Sequence, residues 1–336
     1  MCSSDLGPAG MTVASELVTH PIQVCLVEGG GLSYTVRAAT IAEQSELAIN
    51  PAKLYQGVGG ASHVWGGLGG KGFLSRPLDP IDFESRPWIP ESGWPFGFES
   101  LRPSFVRACE ILKLPSFSSF EEHAFHDHLS PAFHNKELRT TIFQKSRPVR
   151  FGEAYRDSLA LSQRVRIVVH ARVTEIEEDP SSAIVRSVRV ATRGGKIHRI
   201  AAKHFVLASG GLENPRLLLC SRRKSKTGVG DSLGSFESDL DPLSGTWPVS
   251  SDAAHHIGTT RMHSDPKRGV TDANCRVPGI PNLFISGSSV FPTSGYANPT
   301  LTIVALAVRL ASHLKKLYSE AAVSSMSPPS AESASA

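Results

Sequence analysis

Apolar positions along the chain fall in short runs parted by glycine- and proline-rich stretches, the pattern of alternating strands and helices. Gln23 to Val27 reads as a strand ended by Glu28, and the stretch before it, with Met11, Val13, Ala14 and Leu17 apolar, reads as a helix. Val165–Val169 and Ala183–Ala191 run apolar or alternate, and Gly194-Gly195 precedes IHRIAA, which predicts strand, strand, turn, strand. His204–Ala208 is a buried strand, followed by SGGLENPRLLL, a glycine turn and a helix with Pro215 near its first turn. Asn282–Ser286, between Pro281 and Gly287, is another buried strand. Gly287 to Gly295 is small, polar and glycine-bounded, so it is a loop. A further helix starts at Asn298-Pro299, with asparagine as N-cap and proline at the first helical position. From Leu301 to Leu310 it is apolar nearly all round and so buried.

Composition narrows this only a little. Hydrophobic residues make up 40% and charged residues 20%, as in an ordinary globular protein. Net charge is +4 and its one tight basic cluster, Arg222, Arg223, Lys224 and Lys226, reads as a solvated face, so no nucleic-acid partner is expected. Five isolated cysteines without CxxC spacing argue against a disulfide framework and a zinc site. His123, His126 and His128 have no metal-site spacing, and no metal is expected. No apolar run nears transmembrane length and no signal peptide is evident, which makes the cytoplasm the default location.

The candidate chemistry sits in three glycine-rich stretches. Gly7-Pro8-Ala9-Gly10 opens the first helix, and Glu28 lies where an acid would meet an adenosine ribose. Tyr55 to Gly72, YQGVGGASHVWGGLGGKG, is too rich in glycine for a regular element and lets backbone approach a ligand closely. His255 precedes Gly258-Thr259, and Asn298 heads the last helix, whose N-terminus can face an anion or an electron-rich ring. GTTRM, SSVFPTSG and ANPTLT, with His255, Gly258 and Asn298, resemble the C-terminal signature of the glucose–methanol–choline (GMC) flavin oxidoreductases, most closely the sugar and polyol dehydrogenase branch with its pyranose oxidase cousins.

That resemblance implies an α/β fold: a Rossmann-like FAD-binding domain with a reduced remnant of the α+β substrate domain. It implies FAD as cofactor, held by Gly7, Gly10, Glu28, Gly59, Gly60, Ser62, His63, Trp65, Gly66, Val173, Gly287, Ser288, Pro299 and Thr300. Some relatives bond a histidine near His63 covalently to the flavin, at the position of Val64 here, so His63 is either the link or a structural histidine. Catalysis falls to His255, as the base taking a hydroxyl proton while the carbon gives hydride to the flavin, and to Asn298, bonding the same oxygen. The partners implied are a small alcohol or sugar and an electron acceptor or cytochrome.

In these terms residues 1–72 are the first part of the FAD domain, 73–150 a flavin-flanking remnant, and 151–231 its second part. Residues 232–250 are a shortened substrate region, 251–318 the C-terminal signature, and 319–336 a disordered tail. Two departures stand out. MCSSD is not strand-like, with Asp5 where the first glycine of G-x-G-x-x-G belongs, so the first strand is expected to be missing. Residues 221–253 are too few and too polar for the family's large antiparallel sheet, so a longer natural product and weak turnover are expected. Three readings follow: an FAD-dependent alcohol or sugar dehydrogenase, a truncated member binding FAD at most, and, least supported, an NAD-type Rossmann protein.

Overall fold

The computed structural model describes residues 2–4, 6–33, 35–36, 55–65, 72–121, 141–147, 149–179, 181–221 and 255–326. Gly66, the 123–128 histidines, the basic cluster at 222–226, the shortened region 232–250 and the end of the tail lie outside these residues.

In chain order the elements are β1 (Cys2–Ser4), α1 (Pro8–Leu17), β2 (Val24–Val27), β3 (Thr35–Val36), β4 (Tyr55–Gln56), β5 (Leu74–Ser75), α2 (Pro80–Phe83), α3 (Phe98–Ile111), β6 (Gln144–Lys145), α4 (Phe151–Ala160), β7 (Val165–Val168), β8 (Ala171–Glu178), β9 (Val185–Thr192), β10 (Ile197–Ala201), β11 (Phe205–Leu207), α5 (Gly210–Cys220), β12 (Leu283–Ile285) and α6 (Thr300–Met326). Short 3₁₀ turns at Gly60–Val64, Phe117–Phe120 and Ser288–Val290 complete the described set.

A parallel five-stranded sheet in the order β12-β11-β1-β2-β7 forms the centre. Its strands β11 and β12 are buried at every position, as the covered faces of a parallel sheet require. The crossover helix α1 buries Met11, Val13, Ala14 and Leu17, and α6 packs against both α1 and α3. Along α6, Leu301, Val304, Ala305, Leu306, Ala307 and Leu310 are at most 1% exposed, which matches the all-round apolar pattern. Each buried leucine there is worth about 1.5–3 kcal/mol of transfer free energy. A separate antiparallel sheet, β10-β9-β8, stands beside α5.

The structure departs from the pattern-based expectations at four places. Cys2–Ser4 does form a strand, at the centre of the sheet between β2 and β11; the ladder of two neighbours outweighs the weak strand propensity of serine. β8, charged at every second or third position, carries no apolar run of its own and is held by pairing to β9 with two register shifts. Helix α5 starts at Gly210, so Pro215 lies inside it rather than in its first turn. Helix α6 starts at Thr300, with Ile303 N–H donating to Pro299 O, and runs to Met326 instead of stopping at 318; Glu320, Ala321 and Ala322 are good helix formers.

Candidate active site

The carboxyl ends of β1, β11 and β12 each run into a glycine: Gly7, Gly210 and Gly287. A Cβ at any of the three would meet nothing within 4 Å, so this edge of the sheet is an open lip. Gly7 is the N-cap of α1 with no side-chain cap, and Pro8 follows, so uncapped N–H groups face the lip. Gly10 is buried within α1. The order of strands reverses at β1, with β2 on one side and β11 on the other, which is where dinucleotides bind in open parallel sheets.

Glu28 closes one side of the lip. It is 3% exposed, and its carboxylate accepts from Leu6 N at 2.7 Å, Gly30 N at 2.7 Å and Gly57 N at 2.9 Å. Three turns are knotted at this one group. A carboxylate has about four acceptor sites, so one remains for a ribose hydroxyl.

The 57–65 stretch lies over the first glycine turn. Gly59 N donates to Leu6 O at 2.7 Å, and a Cβ on Gly60 would come within 2.9 Å of Gly7 Cα. Gly59, with φ at +107°, has Gly152 N where its Cβ would fall, at 2.6 Å. Ser62 Oγ donates to Gly59 O and accepts from Phe151 N. His63, 6% exposed, donates Nε2–H to Val58 O at 2.7 Å, while its own carbonyl takes Arg150 Nη1. This bond occupies Nε2 and ties His63 to the 57–65 turn. Trp65 packs on Phe73 and Phe151 at 4.9 and 5.8 Å between ring centroids. Val173 lies in β8, paired with Val190, and its neighbour Arg172 runs along Gly29.

The C-terminal segment is stitched to the sheet's edge by backbone. Gly258 N, Thr260 N and Met262 N donate to Ser288 O, Ser289 O and Val290 O. Ser288 Oγ donates to His256 O at 2.6 Å. Pro215 supplies another stitch: lacking an N–H, it leaves Gly211 O without its helical donor, and Thr259 Oγ1 donates there at 2.5 Å. A Cβ on Gly211 would strike His256 Cβ at 2.5 Å, so His256 packs flush on the start of α5. Asn214, fully buried, accepts from Ser209 N and donates to Ser289 Oγ. His255, next along, is exposed. Asn298 donates Nδ2–H to Leu74 O at 2.8 Å, and the residue opening the α6 ladder is Pro299. His255 and Asn298 are thus linked through the 288–298 segment.

Sequence reading did not single out Asn214, Phe151 or Gly152, nor the role of Pro215. The glycine of FGEAY was the one available signal, since glycine early in an amphipathic helix implies close backbone approach. The residues fit a dinucleotide with a flavin: an open glycine lip, an uncapped helix N-terminus and a ribose-ready acid share one edge, and among the described residues no His/Cys/Asp/Glu cluster could hold a metal.

Residues 228–307 match the family model described as GMC oxidoreductase. The chain is 48% identical over 56 residues to a C-glycoside 3-oxidase of Arthrobacter globiformis, covering 16% of this chain and 11% of that protein. It is 39% identical over 82 residues to a 2-methyl-1,2-propanediol dehydrogenase of Mycolicibacterium austroafricanum, covering 24% and 15%. These matches therefore span only about a tenth to a seventh of the relatives' lengths. An FAD-dependent oxidoreductase from Chaetomium thermophilum has the same fold, with TM-score 0.64 at 13% identity over 95% of this chain and 99% of that one. Residues 228–307 thus resemble the GMC oxidoreductase family, and the chain shares its α/β fold with that solved FAD-dependent oxidoreductase. No helix among the described residues is long and apolar enough to cross a membrane.

Proposed function

We propose that this chain binds FAD and oxidises a CH–OH group of a small alcohol, sugar or polyol. The observation that carries the reading is the GMC segment, whose Gly258, Thr260 and Met262 N–H groups bond the loop leaving β12, at the carboxyl edge of a sheet whose glycine lip fits a dinucleotide. When bound, FAD supplies the hydride acceptor. His255 takes the hydroxyl proton on an imidazole nitrogen, a proton-accepting group within the segment. Asn298 keeps its second Nδ2 hydrogen to donate to the same oxygen, because one hydrogen is spent on Leu74 O. The N-terminus of α6 would favour negative charge on a bound flavin. Gly7 and the α1 N-terminus take the pyrophosphate, and Glu28 offers its remaining acceptor site to the ribose.

The test is direct. The purified chain, reconstituted with FAD, should show flavin absorbance after gel filtration and bleach anaerobically on adding a sugar or a diol. Retained flavin that no alcohol bleaches favours the second reading, an FAD-binding but catalytically impaired member; a chain that takes up no FAD refutes both.

A further inference from the structure

Two residues before Asn298 the loop presents an aromatic ring to solvent. Tyr296 is 55% exposed, yet its hydroxyl is tethered, donating to Asp79 Oδ2 at 2.7 Å. Asp79 Oδ1 accepts from Arg76 Nη2 at 2.5 Å, and Arg76, 4% exposed, is itself anchored through Nη1 to Ile142 O at 3.2 Å. The Arg76 guanidinium carbon lies 5.5 Å from the Tyr296 ring centroid, and the Phe143 ring stands edge-on at 6.0 Å. The ring is therefore held from beneath by a partly buried ion pair and from the side by a second aromatic.

The surroundings are pinned in the same way. Leu74, whose carbonyl receives Asn298, is 52% exposed, and Ile81 is 53% exposed. Thr293 Oγ1 donates to Asp82 O at 2.9 Å, and Gly295 lies so close to the Asp82 carboxylate that a Cβ would come within 2.4 Å of it. The exposed Tyr296 ring, with the Asp79 carboxylate at its hydroxyl, stands two residues before the asparagine assigned to the alcohol oxygen, which is bonded to Leu74. Exposing such a ring forgoes burial energy, and tethering its hydroxyl fixes the ring's orientation. Such a surface suits a ligand with an apolar face and polar edges. A pyranose has both: axial C–H bonds carrying slight positive charge for the electron-rich ring face, and equatorial hydroxyls for the polar margin. A small acyclic diol has no such face.

We propose that Tyr296, flanked by Leu74, is the platform on which the substrate ring stacks, and that the substrate is a pyranose-type cyclic polyol with its C–H face on Tyr296 and a hydroxyl reaching Asn298. This assignment rests on reading Asn298 and His255 as the alcohol-handling pair.

Saturation-transfer NMR on the FAD-reconstituted chain, with methyl β-D-glucopyranoside as probe, tests the platform independently of turnover. Saturation should be strongest at the protons of one ring face. Tyr296→Ala should weaken binding about tenfold or more, the equivalent of ~1.4 kcal/mol. Tyr296→Phe, which keeps the ring and loses the tether, should stay within about threefold. Leu74→Ala gives a second arm should Tyr296→Ala fail to fold. Glucoside binding indifferent to both Tyr296→Ala and Leu74→Ala, or absent while acyclic diols still bleach the flavin, overturns the platform and leaves the proposed oxidation standing. Tyr296-dependent binding with no flavin bleaching by any alcohol does the reverse. A wild-type chain that neither binds the glucoside nor is bleached overturns both.

Discussion

At the scale of single residues, the adjacent histidines of the C-terminal segment have different surroundings. His256 packs its Cβ on Gly211 and gives its carbonyl to Ser288, whereas His255 is exposed. Alanine at 256 keeps the Cβ and the carbonyl, so His256→Ala should slow flavin reduction only a few-fold. His255→Ala should slow it by roughly two or more orders of magnitude, the usual span of general-base catalysis. Anaerobic stopped-flow decides the ranking, and the opposite order would move the base to 256. A different residue-scale effect concerns the thiols. Burial pushes both Cys109 and Cys275 up from the ordinary 9.0 to about 12. The folded state thus holds two protons that the unfolded chain gives up from about pH 9. Their contribution to stability is fully present below pH 9 and is lost as pH rises towards 12. Melting temperature should fall over that window, and fall less in the Cys109→Ala/Cys275→Ala double variant. Below pH 9 both thiols should resist alkylation in the native protein.

Among the elements, the glycine turns carry the geometry. Gly152 opens α4 with its would-be Cβ 2.2 Å from Val58 O, backbone against backbone, so nothing flexible can give way. Gly194, in the β9–β10 turn, has nothing within 4 Å of its Cβ position. Gly152→Ala should therefore cost several kcal/mol or prevent folding, while Gly194→Ala should lie within about ±0.5 kcal/mol, as surface changes do. Chemical denaturation of the two variants is the check; equal midpoints would mean that the 57–64 turn is not seated on α4. Elements with a strong apolar run were legible in the sequence: β2, β11, β12 and the buried length of α6 fall within a residue or two of where the pattern puts them. β1 and β8 were not, because their order comes from neighbouring strands rather than from their own residues. The site shows the same division. Gly7, Glu28, Gly258 and Asn298 are visible as motif residues. The bonds that place them join residues far apart in sequence, such as the Thr259 hydroxyl to the carbonyl freed by Pro215, and local spacing carries no trace of those.

On the scale of the whole molecule, the residues proposed for catalysis are at least partly exposed among the described residues. His255 is exposed, Tyr296 is more than half exposed, and Asn298 is tied to the carbonyl of Leu74, itself half exposed. Water at such a site weakens each electrostatic contribution, since a charge beside a high-dielectric medium is stabilised by solvent in ground and transition states alike. A substrate held on one face keeps more rotational freedom than one enclosed on several, and orientation can be worth several kcal/mol of barrier. Even about three kcal/mol lost from a typical turnover near ten per second leaves a rate about a hundredfold lower. The FAD-loaded chain is therefore expected to oxidise a methyl glucoside at well below one turnover per second, with the rate of flavin reduction itself as the slow step. Single-turnover reduction measured beside steady-state turnover would show it: the two rates should agree. Fast reduction followed by slow steady-state turnover would mean that the exposed site is competent for chemistry and that reoxidation limits the rate.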